Sequence, residues 1–184
     1  MTMTRFALAA LAMIAACRPP SLQATAESAV RALAAHDMVK IGAMADPTKG
    51  IRFSPYQHVD VNRDRVIPKK SFDSLWTGQA PVVWGIHDGS GEPIRLTYAE
   101  YHRTFVYDRD FATAPRVEFN APPVGRGNTP NNIAESYPGA SIVEYHIPGD
   151  PKYSGMDWRS LWLVFEQTAA TWHLVAIVHG SWTI

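Results

Sequence analysis

The sequence predicts an α+β domain: N-terminal helices packed on one face of a curved antiparallel sheet. Three observations predict it. Apolar residues recur at helical spacing over residues 25–44, a capping box opens a helix at Thr97, and three alternating strands close the chain.

The first residues read as a leader. Arg5 precedes an unbroken apolar run of 11 residues, Phe6 to Ala16. That is the charge-then-apolar layout of a secretory signal, and it falls short of the ~20 residues a membrane-spanning helix needs. The run ends Ile14-Ala15-Ala16-Cys17, which resembles the bacterial lipobox, where the small residues fit the peptidase and the thiol takes a diacylglyceryl group. The expected organisation is therefore a signal peptide over 1–16, a lipidated Cys17 with a tether over 17–24, and one domain over 25–184. Several acyl chains of palmitate type hold a protein stably where one does so marginally. Arg18 follows the cysteine, not the aspartate that retains some lipoproteins at the inner membrane. An exported protein anchored at the periplasmic face or in the outer membrane is expected. Cys17 is the only cysteine, so once it is modified no disulfide, thiolate metal site or cysteine nucleophile remains.

About 160 residues follow the leader, which suits one domain able to bury a core without staples. Thr25 is the expected cap of a first helix carrying Val30 and Leu33, and Asp37 of a second, shorter one carrying Val39, Ile41 and Met44. Asp46-Pro47 ends it, and residues 49–56 form a short strand stopped by Pro55. Residues 57–69 read as a loop, and 71–76 as one helical turn. Residues 82–86 and 93–96 flank the turn sequence Asp88-Gly89-Ser90-Gly91 and predict a hairpin. Thr97-Tyr98-Ala99-Glu100 is a capping box for a helix running to about Tyr107. Residues 108–139 read as irregular and rich in proline. Strands are predicted over 141–147, 158–166 and 171–183, the last two joined by a turn near 167–170. Leu161, Leu163 and Phe165 occupy one face of the middle strand, and Trp158, Trp162 and Val164 the other, so both faces need cover, from the proline-rich loop or from a homodimer partner.

Composition and motifs exclude several functions. Lys+Arg and Asp+Glu are 17 each, for a formal net charge of zero, which argues against nucleic acid. Asp60-Val61-Asn62-Arg63-Asp64 opens like a calcium loop but has Arg65 where glycine is needed and Ser71 where glutamate is needed. Asp88-Gly-Ser-Gly-Glu92 is better explained as a hairpin turn. Gly125-Arg-Gly127-Asn-Thr-Pro130 starts like a dinucleotide loop, but proline stands in place of the last glycine. Walker A, His-Glu-x-x-His and Gly-x-Ser-x-Gly motifs are absent. No cofactor is implied. His58 and Asp60 form a weak metal pair that needs a distant third ligand such as His87 or His179.

The strongest remaining constellation is Glu144, His146, Asp157, Trp158, Arg159 and His179, polar and aromatic groups at the ends of the last strands. Inward-facing, they would meet at a pocket mouth, where a carboxylate beside an imidazole does acid–base work and an arginine grips a carboxylate ligand. Paired off locally, they are structural. The aromatic set Trp84, Tyr137, Tyr145, Trp158, Trp162, Trp172 and Trp182 suits a core and also a pocket lining.

The element order resembles the cone-shaped NTF2-like roll, in which a short second helix leads into the first strand. That resemblance implies a pocket between sheet and helices and no particular activity. The stretches at 49–56 (KGIRFSPY), 84–94 (WGIHDGSGEPI), 105–111 (FVYDRDF), 127–132 (GNTPNN), 155–161 (GMDWRSL) and 178–184 (VHGSWTI) resemble a group of uncharacterised bacterial secreted and lipoprotein sequences, which implies export and carries over no catalytic residue. The expected function is a lipid-anchored envelope domain that binds a small ligand or an envelope protein. The alternative is an enzyme drawing on Asp157, His146 or His179 as acid or base.

Overall fold

The computed structural model describes residues 19–122 and 127–183. The leader, Cys17 and the Gly125-Arg126 pair lie outside the described residues. Helix α1 (Leu22–Ala34) starts three residues before its expected cap. Ser21, not Thr25, is the N-cap and accepts the Ala24 N–H at 3.2 Å. Thr25 sits inside the first turn and donates its hydroxyl back to the Ser21 carbonyl. The helix ends in a Schellman motif: Asp37 N–H reaches the Ala32 carbonyl, His36 N–H reaches that of Leu33, and His36 takes a φ of +57°. The left-handed conformation is costly for a residue with a Cβ, and stacking of the His36 ring on Trp76 at 4.0 Å offsets it. Asp37 then caps α2 (Met38–Met44) through the Lys40 N–H, as expected.

The strands are β1 (Ile51–Ser54), β2 (Arg65–Ile67), β3 (Val82–Ile86), β4 (Pro93–Leu96), β5 (Arg116–Phe119), β6 (Ser141–Ile147), β7 (Arg159–Thr168) and β8 (Thr171–Ser181). Six of them form one large curved sheet in the order β2-β1-β8-β7-β6-β5. β3 and β4 make a separate hairpin, as the sequence predicts. The sheet is mixed and not antiparallel, because β1 runs parallel to β8. β1 and β8 are joined by most of the chain and not by a tight turn, so their pairing is free to be parallel, whereas tight turns deliver antiparallel neighbours. β2 lies in the expected loop 57–69, and β5 and the short α4 (Ile133–Ser136) lie in the stretch 108–139 read as irregular.

Strand alternation assigns the faces. Leu161, Leu163 and Phe165 of β7, Val143 and Tyr145 of β6, and Ile51 and Phe53 of β1 bury against the helices. A bulge between Val164 and Phe165 inserts Val175 into β8, so that Leu174 and Ile177 both reach that same face. Helix α3 (Tyr98–Phe105) opens on the complete capping box: the Glu100 N–H bonds the Thr97 hydroxyl, and the Glu100 carboxylate accepts the Thr97 N–H at 2.8 Å. Its Tyr98 and Tyr101 meet Phe53 edge-on, and Tyr101 stacks on Trp84 at 4.3 Å.

The opposite face is buried too. Trp158, Trp162, Val164, Val175 and Val178 pack there with Val59 and Ile133, and Tyr137 lies against them. The loop does this covering. Val59 N–H donates to the Asn132 side-chain oxygen at 2.7 Å, and the Asn132 amide donates back to the Val59 carbonyl at 3.1 Å.

Gly180 makes room for the tryptophans. A Cβ at that position would stand 2.4 Å from the Trp162 ring and 3.3 Å from that of Trp158. Gly180→Ala should therefore lower stability by about 1–3 kcal/mol, read as a shift of the urea midpoint at unchanged slope.

Candidate functional site

The six residues singled out from the sequence do not converge, because the sheet divides them. Glu144 and His146 share the tryptophan-covered face with Ser160. The Ser160 hydroxyl donates to Glu144 Oε1 at 2.7 Å and meets His146 Nδ1 at 2.9 Å. All three are buried, and Trp158 lies beside the His146 ring. Arg159 and His179 are on the helix-covered face. Asp157 belongs to neither group: it sits in the turn before β7 and accepts the Asp150 N–H at 2.7 Å.

Arg159 and His179 meet on a residue that sequence reasoning did not single out. Asp108, just after α3, accepts from Arg159 Nε at 2.6 Å and faces His179 Nε2 at 3.2 Å with its other oxygen. His179 Nδ1 stands 3.2 Å from the Pro55 carbonyl. Burial alone would raise the Asp108 carboxyl, but His179 and Arg159 outweigh it and hold Asp108 below the usual carboxylate range. The cluster thus ties the end of α3, the start of β7, the end of β8 and the chain leaving β1.

That last attachment forms one wall of a cleft of about 490 Å³. Its walls are the segment Pro55 to Asp64, the hairpin turn between β3 and β4, and residues 128–130. Phe105 supports it from behind, touching the rings of Tyr56, His87 and His179. Thr129 closes the far side. Its hydroxyl donates to Asp88 Oδ2 at 2.5 Å and pairs with the Thr183 hydroxyl at 2.8 Å, and its carbonyl accepts from the Gln57 amide. Three carboxylates and two imidazoles line the cleft: Asp60, Asp64, Asp88, His58 and His87.

His58 and Asp60 do face this cleft, but Asp60 is engaged in a turn. Its Oδ1 accepts the Asn62 and Arg63 N–H groups at 3.0 and 3.2 Å, which explains the calcium-like Asp-x-Asn-x-Asp spelling as turn chemistry. Among the described residues no group of three or more His, Cys, Asp or Glu side chains is placed to hold a metal. The Asp88-Gly-Ser-Gly-Glu92 stretch is the hairpin loop, closed by His87 N–H on the Glu92 carbonyl at 2.7 Å.

Asp64 is the unusual group. It is 8% exposed, accepts the Ser54 hydroxyl at 2.5 Å and the Asp60 N–H at 2.9 Å, both on Oδ2. Burial raises its carboxyl to about 6, beyond what those hydrogen bonds lower. It can therefore give or take a proton near neutrality at the cleft wall. No helix among the described residues is long and apolar enough to cross a membrane.

Compared with known protein families, with curated proteins and with solved structures, the chain gives no significant match.

The Asp64 carboxyl fixes the sign of a pH effect. Its folded value of about 6 lies above the ordinary 3.8, so the native state holds the extra proton between the two. The stability this carboxyl supports is complete below pH 3.8 and is lost as pH rises through 6. Asp64→Asn keeps an acceptor for Ser54 and Asp60. It should leave stability near pH 4 unchanged and raise it at pH 8 by on the order of 2 kcal/mol, measured by urea unfolding of both proteins across that range.

Proposed function

We propose that this chain is an exported, lipid-anchored domain of the bacterial cell envelope, built as an NTF2-like roll, that binds a small ligand in the cleft between the Pro55–Asp64 segment and the β3–β4 turn. The cleft itself carries the reading. Its volume of about 490 Å³ falls inside the ~300–1,000 Å³ range of small-molecule sites. Its lining mixes apolar Pro55, Ile86 and Pro130 with Tyr56 and the carboxylate and imidazole groups. The roll is supported by two helices ahead of β1, the shorter one leading into it, and by α1, α2 and α3 on one face of a curved sheet. The anchor is supported by Ile14-Ala15-Ala16-Cys17 after an apolar run of the right length.

One observation favours a second reading, an enzyme: the titration of Asp64 near neutrality where a ligand would sit. In that case Asp64→Asn leaves ligand binding intact and abolishes turnover.

Both parts of the proposal are open to direct tests. Cys17→Ser should move the protein from the membrane to the soluble fraction on cell fractionation, and unchanged membrane association overturns the anchor. Protein purified from its own host should carry a discrete added mass in native mass spectrometry. His87→Trp, which fills the cleft from an exposed position, should lose that mass by tenfold or more in occupancy. No added mass in the native protein, or equal occupancy in the variant, overturns the cleft as the site.

A further inference from the structure

Charge separates the two largest openings of the fold. A smaller cleft of about 270 Å³ at the β2 edge is lined by no carboxylate. The larger one, between the Pro55–Asp64 segment and the β3–β4 turn, is lined by Asp60, Asp64 and Asp88 and by no lysine or arginine. Asp60 is partly matched, since an exposed Arg63 stands 3.7 Å from its Oδ2. Asp64 and Asp88 are not. Their hydrogen bonds come from uncharged donors: the Ser54 hydroxyl and the Asp60 N–H on Asp64, the Thr129 hydroxyl and the Gly89 N–H on Asp88. Neither makes an ion pair among the described residues. Arg52, behind the segment, donates its Nη1 to the Val61 and Asp64 carbonyls at 3.1 and 2.9 Å. The Thr129 hydroxyl, before any other influence, holds the Asp88 carboxyl below the usual range, so it is ionised at neutral pH. A cleft walled by charge of one sign draws the opposite charge into it.

A second observation concerns one oxygen. Asp64 is buried, yet both of its hydrogen bonds fall on Oδ2. Oδ1 has no partner among the described residues. Unlike the Tyr98 and Tyr101 hydroxyls, it is also not sealed off from solvent. A Cβ placed on Gly85 would stand 3.3 Å from Oδ1 and 3.2 Å from the Pro55 ring. Asp64 and Pro55 both line the cleft, so Oδ1 lies at its wall. A carboxylate taken this far out of water needs a counter-charge or further donors, and the protein leaves one of its oxygens without either. A bare metal ion is a poor complement, since no group of three or more His, Cys, Asp or Glu among the described residues is placed to hold one. The rest of the lining, Pro55, Ile86 and Pro130, is apolar. The complement of such a wall is a cation that donates hydrogen bonds and carries an apolar body.

We infer that the ligand of this cleft is an organic ammonium, a protonated amine on a compact apolar body, with its charge at Asp64 Oδ1, its body against Pro55, Ile86 and Pro130, and Asp88 adding attraction from the Thr129 side. The inference rests on the ligand-binding reading of the cleft given above and names the class of ligand for it.

Benzylamine is the probe and benzyl alcohol its uncharged counterpart. With the full chain in detergent at pH 8, where Asp64 and the amine are both charged, isothermal titration should show saturable benzylamine binding, with benzyl alcohol at least tenfold weaker. Asp64→Asn keeps the acceptor for Ser54 and Asp60. It should weaken benzylamine tenfold or more while making the unliganded protein harder to unfold at that pH, a split that a merely structural carboxylate would not give. Asp88→Asn keeps an acceptor for Thr129 and should weaken benzylamine severalfold. His87→Trp should abolish binding, which places the probe in this cleft. The inference is overturned by absent benzylamine binding, by equal affinity for the two probes, or by benzylamine affinity unchanged in Asp64→Asn or in His87→Trp. Its failure is distinct from failure of the cleft. If the native protein carries an added mass that His87→Trp loses, yet benzylamine binds no better than benzyl alcohol, the cleft stands as the site and the ammonium is struck out.

Discussion

Every other feature of this fold answers to the β7–β8 ribbon, which is apolar on both faces and must be buried on both. On one face the leucines and Phe165 of β7 meet the aromatic side of α3 and the stripes of α1 and α2. On the other, Trp162, Val164, Val175 and Val178 have no helix layer to meet. Leaving them bare would forfeit about 1.5–3 kcal/mol for each large side chain. The chain covers them with its own loops, and Val59, Ile133 and Tyr137 are the residues it uses. The stretch that reads as irregular is thus structural. The reciprocal Asn132–Val59 hydrogen bonds lock two such loops together, and Gln57 on the Thr129 carbonyl adds a third tie. The larger cleft forms where these covering loops pass the β3–β4 turn, so it is a by-product of covering the ribbon. A partner subunit is not needed to bury the face described.

Local chemistry was legible in the sequence and long-range pairing was not. The Thr97–Glu100 box, the Asp37 cap and the β3–β4 hairpin each depend on residues within a few positions of one another, and all are present. Ser21 escaped notice because Thr25 offers the same chemistry four residues later, and only the path of the preceding chain decides between them. β2 has three residues, too few for an alternation to register, and β5 is an exposed edge with little burial to pattern it. The parallel pairing of β1 with β8 joins Phe53 to Ile177, a contact no local pattern encodes.

The candidate residues divide along the same line. Alternation correctly put Glu144 and His146 on one face of β6, since a strand's side chains repeat every second residue. It also separated the Leu161 series from the Trp162 series. What it could not supply was the partner of Arg159 and His179. Asp108 lies 51 residues before Arg159 and 71 before His179, in a stretch whose Asp-Arg-Asp spelling looks like any solvated loop. Likewise His58 and Asp60 were noticed as ligands of a metal, whereas Asp64, four residues on, is the buried carboxyl of that segment. Burial is set by the covering loops, and those are placed by tertiary contacts.

Buried charge is poor evidence of stability, because desolvation consumes most of what pairing returns. The two buried carboxylates, Asp108 and Asp64, therefore call for separate accounts. Asp108 is matched by Arg159 and His179 and, through His179, fixes the Pro55 carbonyl where the cleft wall begins. An apolar residue in place of Asp108 would leave Arg159 and His179 without their shared acceptor, and with it the set position of the His179 ring against the Pro55 carbonyl. Asp64 is different. Ser54 and one backbone N–H do not compensate its burial, so it weakens the fold at neutral pH. An asparagine would make the same two contacts without the penalty. In the proposed ligand-binding reading, this cost falls at the wall of the cleft of about 490 Å³, where a carboxyl that titrates near neutrality would act on what the cleft holds. At this wall, stability and the proposed chemistry point in opposite directions.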